Sequence, residues 1–125
     1  MPARVKVFFD GGRRGDAGRL EIAVVTGGRA TILTDMGTGT SADAEWLALI
    51  EALMVARTLA LPDFVLLGDS ADVVAKANGA VRCRGDALNH LQRFRMLAGG
   101  DPPRVRRVKR SQNLAGIALA GLHGR

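Results

Sequence analysis

The sequence predicts an α/β domain in which helices flank one five-stranded mixed sheet. Three observations predict this. Apolar runs of strand length open the chain and are separated by glycine-rich turns. A long helix, apolar almost all round, then leads into a further apolar run, as a crossover between parallel strands requires. The remainder holds amphipathic helical stripes, one short basic run and a closing apolar helix. The resulting order is β-β-β-α-β-α-α-β-α, a sheet that must be covered by helices to bury its apolar faces.

Residues 5–10 end in Val7-Phe8-Phe9-Asp10 and predict a buried first strand. The stretch 11–18 holds Gly11, Gly12, Gly15 and Gly18, which predicts a turn with several residues at positive φ. Residues 20–26 predict a second strand, Gly27-Gly28 a hairpin turn, and residues 29–36 a third strand. These three form an antiparallel meander.

Residues 37–41 are a loop, and Ser41 or Asp43 is a candidate cap for a helix over 44–59. Pro62 ends that segment. Residues 63–68 predict a fourth strand, parallel to the first. Ser70 caps a short helix over 71–78 that stops at Gly79, and a basic loop follows at 81–85. Leu88, Leu91, Phe94 and Leu97 mark the apolar stripe of a helix over 86–98. A loop at 99–103, a short strand within 104–110 and a helix over 113–122 complete the chain. No repeat or linker interrupts it, so residues 1–125 are expected to form one domain.

Composition narrows the function. The net charge is +6 and the pI about 11.0, which favours a polyanionic partner, nucleic acid before membrane. No apolar run reaches membrane-spanning length, because the apolar residues 52–61 carry Arg57. The single cysteine, Cys83, excludes an internal disulfide and a cysteine-based zinc site and fits a reducing cytosol. The first residues lead directly into strand-like sequence, so no signal peptide is expected and the location expected is cytoplasmic. No nucleotide-binding loop or other small-molecule cofactor motif is found; the Gly37–Thr40 glycine stretch is too short and generic for one.

Three acids stand where three elements converge. Asp10 ends the first strand, Glu45 opens the long helix and Asp69 ends the fourth strand. Such a set can line a pocket with oxygens for a hard cation such as Mg²⁺. Other acids have local roles: Asp43 caps a helix and Asp72 sits in the first turn of one. Glu51 lies about 240° round the helix from Glu45 and cannot share its pocket. His90 is expected to face solvent, and His123 to be an exposed tail residue. The four phenylalanines are assigned to the core, leaving Trp46 open.

These motifs, taken in order, resemble the type I ribonuclease H family across nearly the whole chain. Asp10-Gly11-Gly12, with Gly15 and Gly18, is similar to the family's first strand end and glycine turn. Thr40-Ser41-Ala42-Asp43-Ala44-Glu45 places Glu45 at the family's glutamate in the first helical turn. Asp69-Ser70 matches its third acid, and Asn113, Leu119 and Ala120 fit its last-helix pattern. The resemblance implies a ribonuclease H-like fold. It further implies a monomeric nuclease that cleaves the RNA strand of RNA–DNA hybrids with two divalent metals, Mg²⁺ or alternatively Mn²⁺. Asp10, Glu45 and Asp69 would be both catalytic residues and metal ligands.

For substrate, the resemblance points to the backbone at Gly11 and Gly12 and to Thr40 on a DNA phosphate. Arg13, Arg14 and Arg84 would hold the polyanion electrostatically. The chain departs from the family at the fourth acid, whose place falls on Ile117, or on Gly116 if the register shifts by one. Neither side chain can ligate a metal. Two functions therefore stay open: a hydrolase weakened by that loss, and a nucleic-acid-binding module that kept the fold without the chemistry.

Overall fold

The computed structural model describes residues 4–123; the start of the chain, on which the expectation about a signal peptide rests, lies outside the described residues. One sheet of five strands has the order β3-β2-β1-β4-β5. Its strands are β1 (Val5–Arg14), β2 (Arg19–Thr26), β3 (Arg29–Leu33), β4 (Phe64–Gly68) and β5 (Arg104–Arg107). The first three are antiparallel, and β4 and β5 run parallel to β1.

The first strand is longer than the sequence predicts. It continues through Gly11 and Gly12 to Arg14, which pairs with Arg19, so the turn shrinks to residues 15–18. Gly15 and Gly18, with φ of 70° and 69°, make that turn, whereas Gly11 and Gly12 are ladder residues. Gly27 and Gly28 both have positive φ, as a two-residue hairpin whose twist matches the strands requires.

The described residues form four α-helices, α1 (Ser41–Thr58), α2 (Ala71–Ala77), α3 (Gly85–Ala98) and α4 (Leu114–Leu122); α1, α2 and α4 pack on the sheet and α3 packs on α1. The cap of α1 is Thr40 rather than Ser41 or Asp43. Its hydroxyl accepts the Asp43 N–H, and Asp43 accepts the Thr40 N–H in return. The helix therefore begins three residues early, and Glu45 sits one turn inside it.

Strand alternation decides which face each residue serves. Val7 and Phe9 point to the α1 face, where they join Ile22, Val24, Trp46, Leu49, Leu53 and Leu66 in the main core. Trp46 is thus a core residue. Phe8 points the other way, to the smaller cluster under α4 with Ala23, Val25, Ala115 and Leu119. Asp10 and Gly12 follow Phe8 on the α4 face, and Gly11 follows Phe9 toward α1.

That alternation explains Gly11. A Cβ there would collide with the Ala44 carbonyl, so glycine is what lets α1 lie against the strand. Likewise a Cβ on Gly68 would enter the Phe9 ring. His90, expected in solvent, is half-buried: it hydrogen-bonds Asp43 at 2.9 Å and stacks on Trp46 with ring centroids 6.1 Å apart. The contact ties α3 to the start of α1.

Candidate active site

The carboxyl ends of β1 and β4 open on a cleft of about 340 Å³. Asp10, Glu45 and Asp69 line it, each offering a carboxylate oxygen within 4.8 Å of the others. The strands deliver the two aspartates, and α1 delivers Glu45 because its backbone lies against Gly11. The Gly11 N–H donates to Glu45 Oε1 at 3.2 Å, which sets the side chain's direction.

The electrostatics are those of crowded acids. Burial, reinforced by the negative charge of Asp10, pushes Glu45 up to about 9 from an ordinary 4.5. Asp10 is also raised, again chiefly by burial, with the Asp69 charge adding to it and Arg110 working against it. Among the described residues Glu45 Oε2 is buried with no hydrogen-bond partner. A buried carboxylate oxygen without a partner is costly unless it holds a proton or a cation.

Asn113 joins the site to the fold. Its amide nitrogen donates to Asp69 Oδ2 at 2.9 Å and to the Phe9 carbonyl at 3.0 Å. Its side-chain oxygen accepts the Ala115 N–H and so caps α4. One fully buried side chain thereby fixes α4 against both aspartate-bearing strands.

The fourth position corrects one expectation. Ile117 is 54% exposed and points away from the cleft. Gly116 faces it instead: a Cβ on Gly116 would lie 3.4 Å from Asp10 Oδ2. The reason is helical phase, because Asn113 is the cap and α4 begins only at Leu114. The α4 wall of the site thus carries no carboxylate at the position nearest Asp10.

Of the other expected contacts, Gly11, Gly12, Arg13 and Arg14 line the cleft. Arg13 also donates from Nε to the Gly39 carbonyl, bracing the loop before α1. Thr40 lies beside the cleft as the helix cap, its neighbour Ser41 lining the wall. Arg84 does not line the cleft; it is the exposed residue preceding α3.

Three further ionisable residues line the cleft; Arg110 belongs to the short basic run of the sequence, and Glu21 and His123 were not expected there. Arg110 lines it from the 3-10 turn Arg110–Gln112. Glu21 on β2, opposite Gly12, is only 2% exposed. His123, expected to be an exposed tail residue, folds back to place Nε2 2.8 Å from both Glu21 oxygens. Glu21 did have a signal, since it is the one charged residue inside an otherwise apolar strand. His123 had none, because its approach depends on where α4 ends.

Two aspartates from neighbouring strands and a helical glutamate at the carboxyl side of a mixed sheet form a carboxylate cluster of the kind that could hold a cation. A family model described as "Reverse transcriptase-like" matches residues 13–122. Ribonuclease HI of Halobacterium salinarum is 32% identical over 94% of this chain; the match spans 62% of that protein's length. The crystal structure of RNase H1 from the same archaeon superposes with a TM-score of 0.76 at 31% identity, covering 95% of this chain and 99% of that one. LC11-RNase H1, solved in complex with an RNA/DNA hybrid, gives 0.76 at 22% identity over 89% of each chain. The N-terminal RNase H domain of a Mycobacterium tuberculosis protein gives 0.74 at 24% identity, covering 99% of this chain and all of that one. These last two share the fold. The chain belongs to the ribonuclease H family.

Proposed function

We propose that this protein is a metal-dependent endonuclease that hydrolyses the RNA strand of RNA–DNA hybrids. One observation carries the reading above all: three carboxylates converge in the cleft, and one of them keeps a buried oxygen with no partner. An oxygen-only donor set of this kind suits a hard divalent cation, Mg²⁺ or Mn²⁺. The family membership and the hybrid bound by LC11-RNase H1 support the substrate class.

Asp10, Glu45 and Asp69 would hold the metal, with two ions as the expectation. Bound Mg²⁺ supplies Lewis acidity toward a phosphodiester and its attacking water. The chain's own residues do the rest. Asn113 orients Asp69 through its amide, and the Gly11 N–H orients Glu45. The absence of side chains at Gly11 and Gly12 lets a sugar-phosphate backbone approach the strand closely, where backbone groups are available to a 2′-OH. The Thr40 hydroxyl, an acceptor within its cap, still has its own proton to donate to a phosphate. Arg13, Arg14 and Arg110 supply positive charge at the cleft.

The test is cleavage of a labelled RNA–DNA hybrid with Mg²⁺, then Mn²⁺, comparing the parent with Asp10→Asn. Cleavage of the RNA strand that Asp10→Asn abolishes is expected. Gly116 favours one second reading, a binding module without catalysis, because α4 offers no fourth carboxylate. Salt-dependent hybrid binding with no Asp10-dependent cleavage would establish that reading instead. The single cysteine supports a reducing, cytoplasmic setting, and burial of both apolar clusters within one chain supports a monomer of one domain.

A further inference from the structure

Glu21 is hard to explain as packing. It is a carboxylate with a side chain 3% exposed, on the strand face that carries Ala23 and Val25, and the apolar cluster under α4 would accept a hydrophobic residue there. Buried ion pairs of this kind seldom add stability over well-packed apolar side chains. Two side chains converge on it. Arg14 Nε lies 3.3 Å from Oε1, and His123 Nε2 lies 2.8 Å from both oxygens. All three line the same cleft as the acidic trio, but Glu21 is not one of the three acids that converge as a cation site.

The arrangement leaves donors unused. Arg14 Nε faces Glu21, its side chain is 42% exposed, and among the described residues no hydrogen bond engages either Nη group. With Nε2 committed to the carboxylate, His123 presents Nδ1 as its remaining polar atom. Arg14 comes from β1 and His123 from just beyond α4, so without a shared anchor nothing would fix their separation. Arg13, the neighbour of Arg14, points to the opposite face and is engaged with Gly39.

We propose that Glu21 is a positioning residue that holds Arg14 and His123 as a two-armed subsite for a backbone phosphate of the nucleic acid, beside the acidic trio. This deepens the nuclease reading and rests on it. The buried carboxylate offsets much of the arms' charge but aims both at one anion. A guanidinium with two free donors suits a phosphate oxygen pair. The subsite also gives the cleft a wall of hydrogen-bond donors on the side of β2 and α4, where the nearest α4 position is Gly116.

The test measures hybrid affinity with Ca²⁺ replacing Mg²⁺ for the parent, Arg14→Gln, His123→Gln, Glu21→Gln and Arg14→Gln/Glu21→Gln. Each single variant is expected to bind about tenfold more weakly. The double variant is expected to bind more weakly than Arg14→Gln but to lose less than the two single losses combined, because part of the anchor's effect runs through the Arg14 arm. The Arg14→Gln salt dependence should lose about one unit of slope. Additive losses, or an unchanged slope in a variant that melts like the parent, would overturn the subsite. A purely structural cluster would lower the melting temperature and leave affinity and slope alone.

Inorganic phosphate keeps the subsite testable apart from the nuclease reading. Titrated while the His123 imidazole protons are followed by NMR, assigned with His123→Gln, it should shift them in the parent and not in Arg14→Gln. No shift in the parent sinks the subsite even if the hybrid is cleaved. A shift without hybrid binding sinks the nuclease reading and leaves the subsite standing.

Discussion

At the residue scale, Glu45 has the most measurable consequences. Its value is raised to about 9, so near neutral pH and without a cation it holds a proton. Metal must displace that proton, so metal affinity should rise with pH between about 7 and 9, by up to tenfold per unit. Calorimetric Mg²⁺ titrations in buffers of different ionisation enthalpy should show about one proton released per binding event; none released would contradict it. The stability of the metal-free protein carries the same signature with a definite sign. A folded value above the unfolded 4.5 means the native state holds the extra proton. The Glu45 contribution is therefore fully present below 4.5 and is lost as pH rises toward 9.

Gly116 is the second residue with a clear consequence. Gly116→Asp would place a carboxylate against Asp10, whereas Ile117→Asp would place one in solvent. The first should tighten Mg²⁺ binding by about tenfold, since ligand charge sets affinity at oxygen sites. It should also lower metal-free stability through like-charge crowding. Ile117→Asp should change neither, and Mg²⁺ titrations of the two variants side by side decide the register.

At the scale of elements, two contacts bring the site together. The α1 contact needs Gly11. Gly11→Ala should destabilise the fold by about 2 kcal/mol through overpacking and displace Glu45. Urea unfolding read alongside hybrid cleavage would show both effects, and a variant of parental stability would remove the close-approach explanation. The α4 contact needs Asn113. Asn113→Ala removes a helix cap and two buried bonds, at a cost of about 2–3 kcal/mol. Replacing Asn113 should cost activity even under conditions where the variant remains folded, because Asp69 loses its anchor.

The element boundaries show what sequence resolves at this scale. The strands and α-helices were legible, mostly because periodicity and the glycine and proline stops are local signals; β5 alternates poorly, and the 3-10 turn Arg110–Gln112 ends the run predicted as strand. The end of β1 was not: Gly11-Gly12 looks like a turn until pairing with β2 carries it to Arg14. The start of α1 moved for a similar reason. The reciprocal bonds of Thr40 and Asp43 chose one of several polar residues able to cap it.

At the scale of the whole molecule, charge is unevenly distributed. Eighteen basic against twelve acidic residues leave +6, while the cleft gathers three of the acids. Hybrid affinity should therefore fall linearly in log–log terms as salt is raised. A divalent cation that relieves the acids should stabilise the entire fold, by about 2.7 kcal/mol at a hundred times its dissociation constant. A thermal melt with and without Mg²⁺ checks this, and the rise should vanish in Asp10→Asn. An equal rise in that variant would place the cation elsewhere. Among the described residues no helix is long and apolar enough to cross a membrane.

By itself the sequence determined the element order, the mixed sheet and the three acids that converge. Each follows from local periodicity, from turn chemistry, or from motifs in which Asp10, Glu45 and Asp69 keep their place. Only the tertiary structure decided which residues of α4 face Asp10, since a single residue of helical phase separates Gly116 from Ile117. It alone brought His123 to Glu21, 102 residues apart along the chain. Such contacts depend on the angle and length of packed elements, and local sequence carries no record of either until the core has set them.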